Sequence, residues 1–256
     1  MTNDDILLSE IDPRGVATLT LNRPAVHNAF NDALIARLDE AFSKLGADPK
    51  VRIIVLAGAG KSFCAGADLH WMKAMAGYSE AENIADSNRL ADMLYKIHSC
   101  PKSTVARIHG AALAGGVGLV SACDIAVAAA QASFAITEVR LGLIPANIAC
   151  YLVPTIGAHA LRRYAMTAQR FDAAEARRIG LVDEVAPAEG LDAAVASIVE
   201  SLLAAGPEAL AECKNLIDHV GGPLSEKMRR DTAAWLARVR VGDEAQSRMH
   251  AFLNKR

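Results

Sequence analysis

The stretch that decides the fold is TVARIHGAALAGGVGLVSACDIAVA, Thr104 to Ala128. Thr104–Ile108 reads as a short buried strand. Gly110 breaks it, a Gly/Ala-rich turn and a short helix follow, and Ile125–Ala128 reads as the next buried strand. Residues 110–130 are long enough and weakly apolar enough to suggest a membrane span. They also carry Asp124 and the glycines 110, 115, 116 and 118, and their apolar residues are mainly alanine. An unpaired Asp is costly in lipid, so a buried core is expected.

The same pattern continues outward in both directions. Ile6–Ile11 and Val16–Leu21 read as a hairpin around Asp12-Pro13-Arg14-Gly15, ended by Asn22-Arg23-Pro24. Asn31 is placed to cap a helix whose apolar positions Leu34, Ile35, Leu38, Ala41, Phe42 and Leu45 keep helical spacing. Val51–Ala57 is a strand closed by Gly58-Ala59-Gly60, and a second helix runs from about Glu80 to His98, stopped by Pro101. Strand, loop and helix units thus repeat to about residue 150, which argues an α/β fold. From about Ala188 the signal is almost purely helical, over Leu191–Ala205, Glu208–Val220 and Leu224–Leu253. The expected organisation is an α/β core over 1–195 and a helical C-terminal region over 196–256.

The 256 residues are 52% hydrophobic and 22% charged, with a formal net charge of −2. A chain of this length buries enough surface to need no metal or disulfide staple. The charge balance gives no basic surface for nucleic acid or an anionic membrane. Cys64, Cys100, Cys123, Cys150 and Cys213 are scattered without a CxxC pair, so reduced thiols in a cytoplasmic protein are expected. Met1-Thr2-Asn3-Asp4-Asp5 lacks the basic and apolar regions of a signal peptide.

Several nucleotide and catalytic motifs fail. Gly58-Ala59-Gly60-Lys61-Ser62 ends like a phosphate loop, but its first glycine position is Val55, inside the strand. Gly116-Val117-Gly118 misses the dinucleotide fingerprint. There is no HExxH, no GxSxG and no histidine cluster, so no metal site is expected.

Two glycine-rich turns follow strands: Ser62-Phe63-Cys64-Ala65-Gly66-Ala67-Asp68-Leu69, and His109-Gly110 through Gly118-Leu119. Small residues let a ligand approach the backbone, and amides at a helix start are free. Two such turns can aim two N–H groups at one oxygen, as an oxyanion hole for a thioester enolate requires. Either turn taken singly fits plain helix–strand packing better. A third segment, Phe134 to Pro145, sets Glu138 among apolar residues. A partly buried carboxyl there has its pKa raised toward the range of a general acid/base. Pairing with Arg140 or a place on a surface turn fits Glu138 as well.

Phe63–Leu69, Gly110–Asp124 and Glu138-Val139-Arg140-Leu141-Gly142-Leu143-Ile144-Pro145, in this order, resemble the three signature stretches of the enoyl-CoA hydratase/isomerase (crotonase) superfamily. Leu21-Asn22-Arg23-Pro24 with Asn28-Ala29, and Phe171 through Val185, extend the resemblance over nearly the whole chain. Within the superfamily, Asp68-Leu69-His70-Trp71-Met72, Asp12-Pro13-Arg14-Gly15, Gly116–Val120 and Arg140–Ala146 look most like bacterial methylglutaconyl-CoA hydratases. The resemblance implies a core of repeated ββα units, a spiral, with a helical C-terminal region that builds homotrimers or dimers of trimers. It implies an acyl-CoA substrate, with coenzyme A part of the substrate and no separate cofactor. By position, the oxyanion hole is the N–H groups of Ala67 and Gly115, and Glu138 exchanges a proton at substrate C2. Ala65 contacts the CoA adenine through its backbone, and Asp68, Leu69, Gly116, Gly118, Pro145 and Asn147 complete the substrate-binding set.

The sequence departs from the superfamily's two-glutamate hydratases at Gly118, where they carry the second glutamate. Three functions follow as alternatives. The first is hydration of a 2-enoyl-CoA such as 3-methylglutaconyl-CoA by one glutamate, with water placed by backbone amides or Asn147, as in leucine breakdown. Arg140, His70 and Lys73 are then the cations near enough in sequence to receive a distal carboxylate. The second is Δ3,Δ2-enoyl-CoA isomerisation, which needs only one base. The third is a non-catalytic acyl-CoA- or RNA-binding homologue, against which Glu138 and both turns argue. Trp71 and Met72 are expected in core packing, and Asp124 in bonds to backbone near the second turn.

Overall fold

A computed structural model describes residues 6–75 and 77–221 continuously and isolated residues between 227 and 248. Among the described residues, ten strands form two sheets. The larger has the order β1 (Leu7–Ile11), β2 (Val16–Leu21), β3 (Ile53–Gly58), β5 (Ser103–Ile108), β7 (Ile125–Ala129), β10 (Glu184–Ala186). The smaller has the order β4 (Ser62–Cys64), β6 (Ala111–Leu113), β8 (Ser133–Ala135), β9 (Phe171–Asp172). Only the β1–β2 hairpin and the β8–β9 pair are antiparallel. The pairs β3–β4, β5–β6 and β7–β8 each give one strand to either sheet before the chain turns into a helix. This is the crotonase-like ββα spiral.

The apolar runs of β3, β5 and β7 are continuous because both sheet faces are covered. Ile54, Leu56, Ala106, Ile108, Ala126 and Ala128 point into the main core. Ile53, Val55, Val105, Val127 and Ala129 point the other way, under α7 (Leu191–Ala204). That helix contributes Leu191, Val195 and Val199 to the second cluster. The boundary expected at residue 195 therefore falls inside a helix that belongs to the α/β core.

On the main-core side lie α1 (Asp32–Ala47), α2 (Leu69–Met75), α3 (Glu80–His98), α4 (Gly115–Ala122) and α5 (Ala146–Thr167). Asn31 caps α1 as its residue type dictates, its side chain accepting from Leu34 N–H at 2.9 Å. Ser79 and Glu82 form a capping box at the start of α3. The stretch 110–130 is no single helix; it divides into β6, α4 and β7. Among the described residues, no single helix is long and apolar enough to cross a membrane.

Two features differ from the sequence reading. The long helix α5 was not expected, because Pro154 and a kink at Gly157 (φ 74°, ψ 154°) interrupt its pattern. The second sheet was not expected either, since its strands are two or three residues long. The helix α8 (Pro207–Val220) is tied to the core by Lys214, whose ammonium donates to Cys100 O at 2.6 Å and pairs with Asp124 at 3.0 Å. Asp124 also accepts from Thr104 N–H and Oγ1–H, the structural role expected of it. Most of the helix expected over Leu224–Leu253 lies outside the described residues.

Candidate active site

The first glycine-rich turn is held from behind by Asn28, a fully buried side chain at positive φ. Its amide donates to Ala59 O and Ser62 O, each at 2.8 Å, and its carbonyl accepts from Arg23 N–H. Phe30 then forms a parallel bridge to Ala67. In it Phe30 N–H donates to Gly66 O at 2.6 Å, and Asp68 N–H donates to Phe30 O at 2.7 Å. The bridge uses the groups on either side of Ala67 and leaves the Ala67 N–H outside it.

The second turn ends β6 and starts α4. Gly115 is the first residue of α4, so its N–H precedes the helix's own hydrogen-bond ladder and lies at the positive end of its dipole. Ala114, just before it, has φ 47° and ψ −117°. A non-glycine residue there stores about 1–3 kcal/mol of strain, and such strain gathers at functional sites. Its own N–H is fixed on Ala135 O at 2.8 Å, which ties the turn to β8.

The two turns touch. A Cβ added at Gly66 (φ 88°) would meet Ala114 Cβ and Leu113 O at 3.0 Å and Gly115 N at 3.6 Å. One added at Gly115 would lie 2.6 Å from the Phe30 ring, and one at Gly116 would run into Cys64 O. The small residues are thus required by backbone approach. Phe30 locks both turns at once, holding Ala67 through the backbone and packing its ring on Gly115.

Glu138 opens a 3-10 turn, Glu138–Leu141, that follows β8 and precedes α5. Its Oε2 is buried without a hydrogen-bond partner. Burial pushes its pKa up, against a smaller downward pull from the amides of Glu138 and Thr137. It does not pair with Arg140, whose guanidinium donates to Ala168 O at 2.9 Å. A buried, unpartnered carboxylate oxygen is expensive, and it is what a group that must take up and release a proton looks like.

The remaining expected residues divide. The Asp68 carboxylate is 4% exposed and is taken by Arg23 at 2.8 Å and by the N–H groups of His70 and Trp71, so it shapes the start of α2. Ala65 N–H donates to His27 O at 3.0 Å. Leu69, at the end of the first turn, and Ile144 are exposed, and Pro145 is the N-cap residue of α5. The Asn147 amide donates one N–H to Ser87 O at 3.1 Å, which ties the start of α5 to α3. Gly118 is buried, and an added Cβ would run into the Ile148 Cγ2 methyl, with Ile148 Cβ at 3.2 Å and Leu94 Cδ1 at 3.8 Å. The side chain missing at position 118 is replaced by one from α5. Trp71 lies in the core. Cys64 beside the first turn is no nucleophile, since burial holds its thiol at about 12.

Among the described residues, no group of three or more His, Cys, Asp or Glu side chains is placed to hold a metal ion. A surface cleft of about 400 Å³, lined by Thr18, Thr20, Arg107 and Asp192, lies on the outer face of the large sheet, away from Glu138. Glu138 lies three residues beyond Ala135, whose carbonyl accepts from Ala114 N–H at the second turn.

Residues 12–256 match the family model described as enoyl-CoA hydratase/isomerase. A crystal structure of an enoyl-CoA hydratase from Shewanella pealeana superposes with a TM-score of 0.95 at 36% identity, covering 98% of this chain and 94% of that one. The mitochondrial enoyl-CoA hydratase domain-containing protein 2 of Bos taurus is 31% identical over 95% of this chain and 83% of its own. The peroxisomal Delta(3,5)-Delta(2,4)-dienoyl-CoA isomerase of Arabidopsis thaliana is also 31% identical, over 93% of this chain and 90% of its own. Matched from Asp12 to its last residue and superposable over almost its whole length, the chain belongs to the enoyl-CoA hydratase/isomerase family.

Proposed function

We propose that this chain hydrates a 2-enoyl-CoA thioester, with 3-methylglutaconyl-CoA or a similar branched acyl group as substrate. The observation that carries the reading is the buried, unpartnered Oε2 of Glu138, set between α5 and β8, the strand that the second turn reaches through Ala114 N–H on Ala135 O. In this reading the thioester oxygen lies between the N–H groups of Ala67 and Gly115. They stabilise the charge that develops as oxygen adds at C3 and the π electrons move toward the carbonyl. Glu138 delivers its proton to C2, and burial, which pushes its pKa up, favours the protonated form that this step needs. The branched substrate is supported by the sequence resemblance. Of the cations considered for its distal carboxylate, Arg140 is already committed to Ala168 O.

The contact of Ile148 on Gly118 favours a second reading, Δ3,Δ2-isomerisation. One base acting at C2 and C4 suffices there, and an apolar plug beside it keeps water away. Both readings are tested with crotonyl-CoA, 3-methylglutaconyl-CoA and a 3-enoyl-CoA side by side. Hydration of 3-methylglutaconyl-CoA well above crotonyl-CoA is the expected result. Conversion of the 3-enoyl-CoA without hydration of the other two refutes the hydratase reading.

A further inference from the structure

The inward stripe of α3 runs Asp86, Leu90, Met93, Leu94, Ile97. Every member is apolar except the first. From Glu80 to Arg89 the helix is exposed at every position but Asp86, which is 4% exposed. A carboxylate holds the place where the helical period calls for a core residue. It pairs with Arg89, one turn on, at 2.5 Å and with a side chain 55% exposed.

Two contacts set the start of α3 beside the elements that carry the reacting groups, and a third sets its inward stripe on α4. First, the neighbouring Ser87 carbonyl accepts from Asn147, in the first turn of α5, and α5 directly follows the Glu138 turn. Second, α1 and α3 run side by side with Lys96 on Asp39 at 3.1 Å and Pro101 against Gly46 at 3.4 Å. Carried back to the start of α1 at Asp32, that offset reaches Ser87–Arg89, beside Phe30 and its bridge to Ala67. Third, further along the same stripe, Leu94 lies 3.8 Å from the Cβ position of Gly118, one turn after Gly115. The chain also closes the alternative, because Ile148 leaves no room for an acid at position 118.

We infer that Asp86 is the carboxylate that activates the attacking water, supplied by α3 and not by α4. The inference rests on the hydratase reading and deepens it. One water O–H bond breaks, its proton goes to Asp86, and its oxygen forms the bond to C3. The C2=C3 π pair moves to the thioester enolate held by Ala67 and Gly115. The enolate then takes the proton of Glu138 at C2. Asp86 ends protonated and Glu138 ionised, and one proton passes from Asp86 to Glu138 through solvent before the next turnover. Arg89 positions the Asp86 carboxylate by a charge-assisted hydrogen bond.

Hydration and carbon-acid chemistry separate the roles. Deuterium exchange at C2 of butyryl-CoA in D2O needs Glu138 and the oxyanion amides but adds no water. In Asp86→Asn, hydration of 3-methylglutaconyl-CoA is expected to fall at least about 100-fold, as for loss of a general base, while butyryl-CoA exchange stays within about threefold. Asp86→Glu, which keeps the carboxylate, recovers part of the hydration. Hydration within about threefold of wild type in Asp86→Asn overturns the inference, and so does a parallel loss of exchange, which marks a structural role. Failure of the underlying reading looks different: exchange that survives Glu138→Gln, or wild-type exchange without hydration of any enoyl-CoA.

Discussion

The contact between Gly118 and Ile148 gives a prediction that can be worked from the coordinates. In Gly118→Ala the new methyl falls inside the Ile148 Cγ2 methyl, where carbon atoms settle at about 3.5–4.0 Å, so one of them must move by an ångström or more. Overpacking of this kind costs about 1–3 kcal/mol. The gain of alanine over glycine in a helix returns about 0.5–1 kcal/mol. The net loss is about 0–2.5 kcal/mol, up to several degrees of Tm for a chain of this size. Ile148→Ala alone removes a side chain that is 3% exposed, and costs about 2–5 kcal/mol. In the double variant the alanine methyl at 118 enters space that Cγ2 has left, so the two losses do not add. The double variant should be more stable than their sum by about 1–3 kcal/mol. The assay is thermal unfolding of all four proteins, supported by urea titration. Additivity within about 0.5 kcal/mol would show that Ile148 does not fill the place of a residue-118 side chain.

Glu138 predicts a pH dependence of stability. Its folded pKa is raised, so between its unfolded and folded values the native state holds the extra proton. That contribution is fully present below the unfolded pKa and is lost as pH rises through the folded one. In Glu138→Gln it disappears, so the Tm of the variant should gain on wild type from pH 4 to pH 8; a constant difference refutes the desolvated carboxyl. Gly115→Ala drives a methyl into the Phe30 ring and displaces both turns through the Phe30–Ala67 bridge. Turnover should fall about 100-fold or more, the range for loss of one oxyanion donor, and an unchanged kcat removes Gly115 from the reaction.

The legible parts of the sequence were those with a local physical cause. The cap at Asn31, the hairpin around Asp12–Gly15 and the whole span of α3 follow from residue types and period, and all three are present. The two glycine turns were also legible, but their mutual contact through Phe30 was not, because residues 30, 67 and 115 are distant in sequence. The helix α5 was hidden by Pro154 and Gly157. Asn147 was legible as a polar residue after Pro145, but its bond to Ser87 O on α3 was not, because the two are sixty residues apart. The packing of Ile148 on Gly118 belongs to the approach of α4 and α5 and has no one-dimensional signal. Asp86 did leave one. It is the single acid at a core position of the stripe 86, 90, 93, 94, 97, a break in the helical period that a reading of the charge pattern alone passes over.

The measurement that tests the central claim most directly is deuterium exchange at C2 of butyryl-CoA by wild type and Glu138→Gln, since it isolates proton transfer from every question of water and acyl specificity. The account predicts exchange by wild type and a loss of about 100- to 10,000-fold in the variant, the share of one positioned acid/base. Exchange that persists in Glu138→Gln would mean that another group moves the proton, and would contradict the reading of Glu138 as the acid/base.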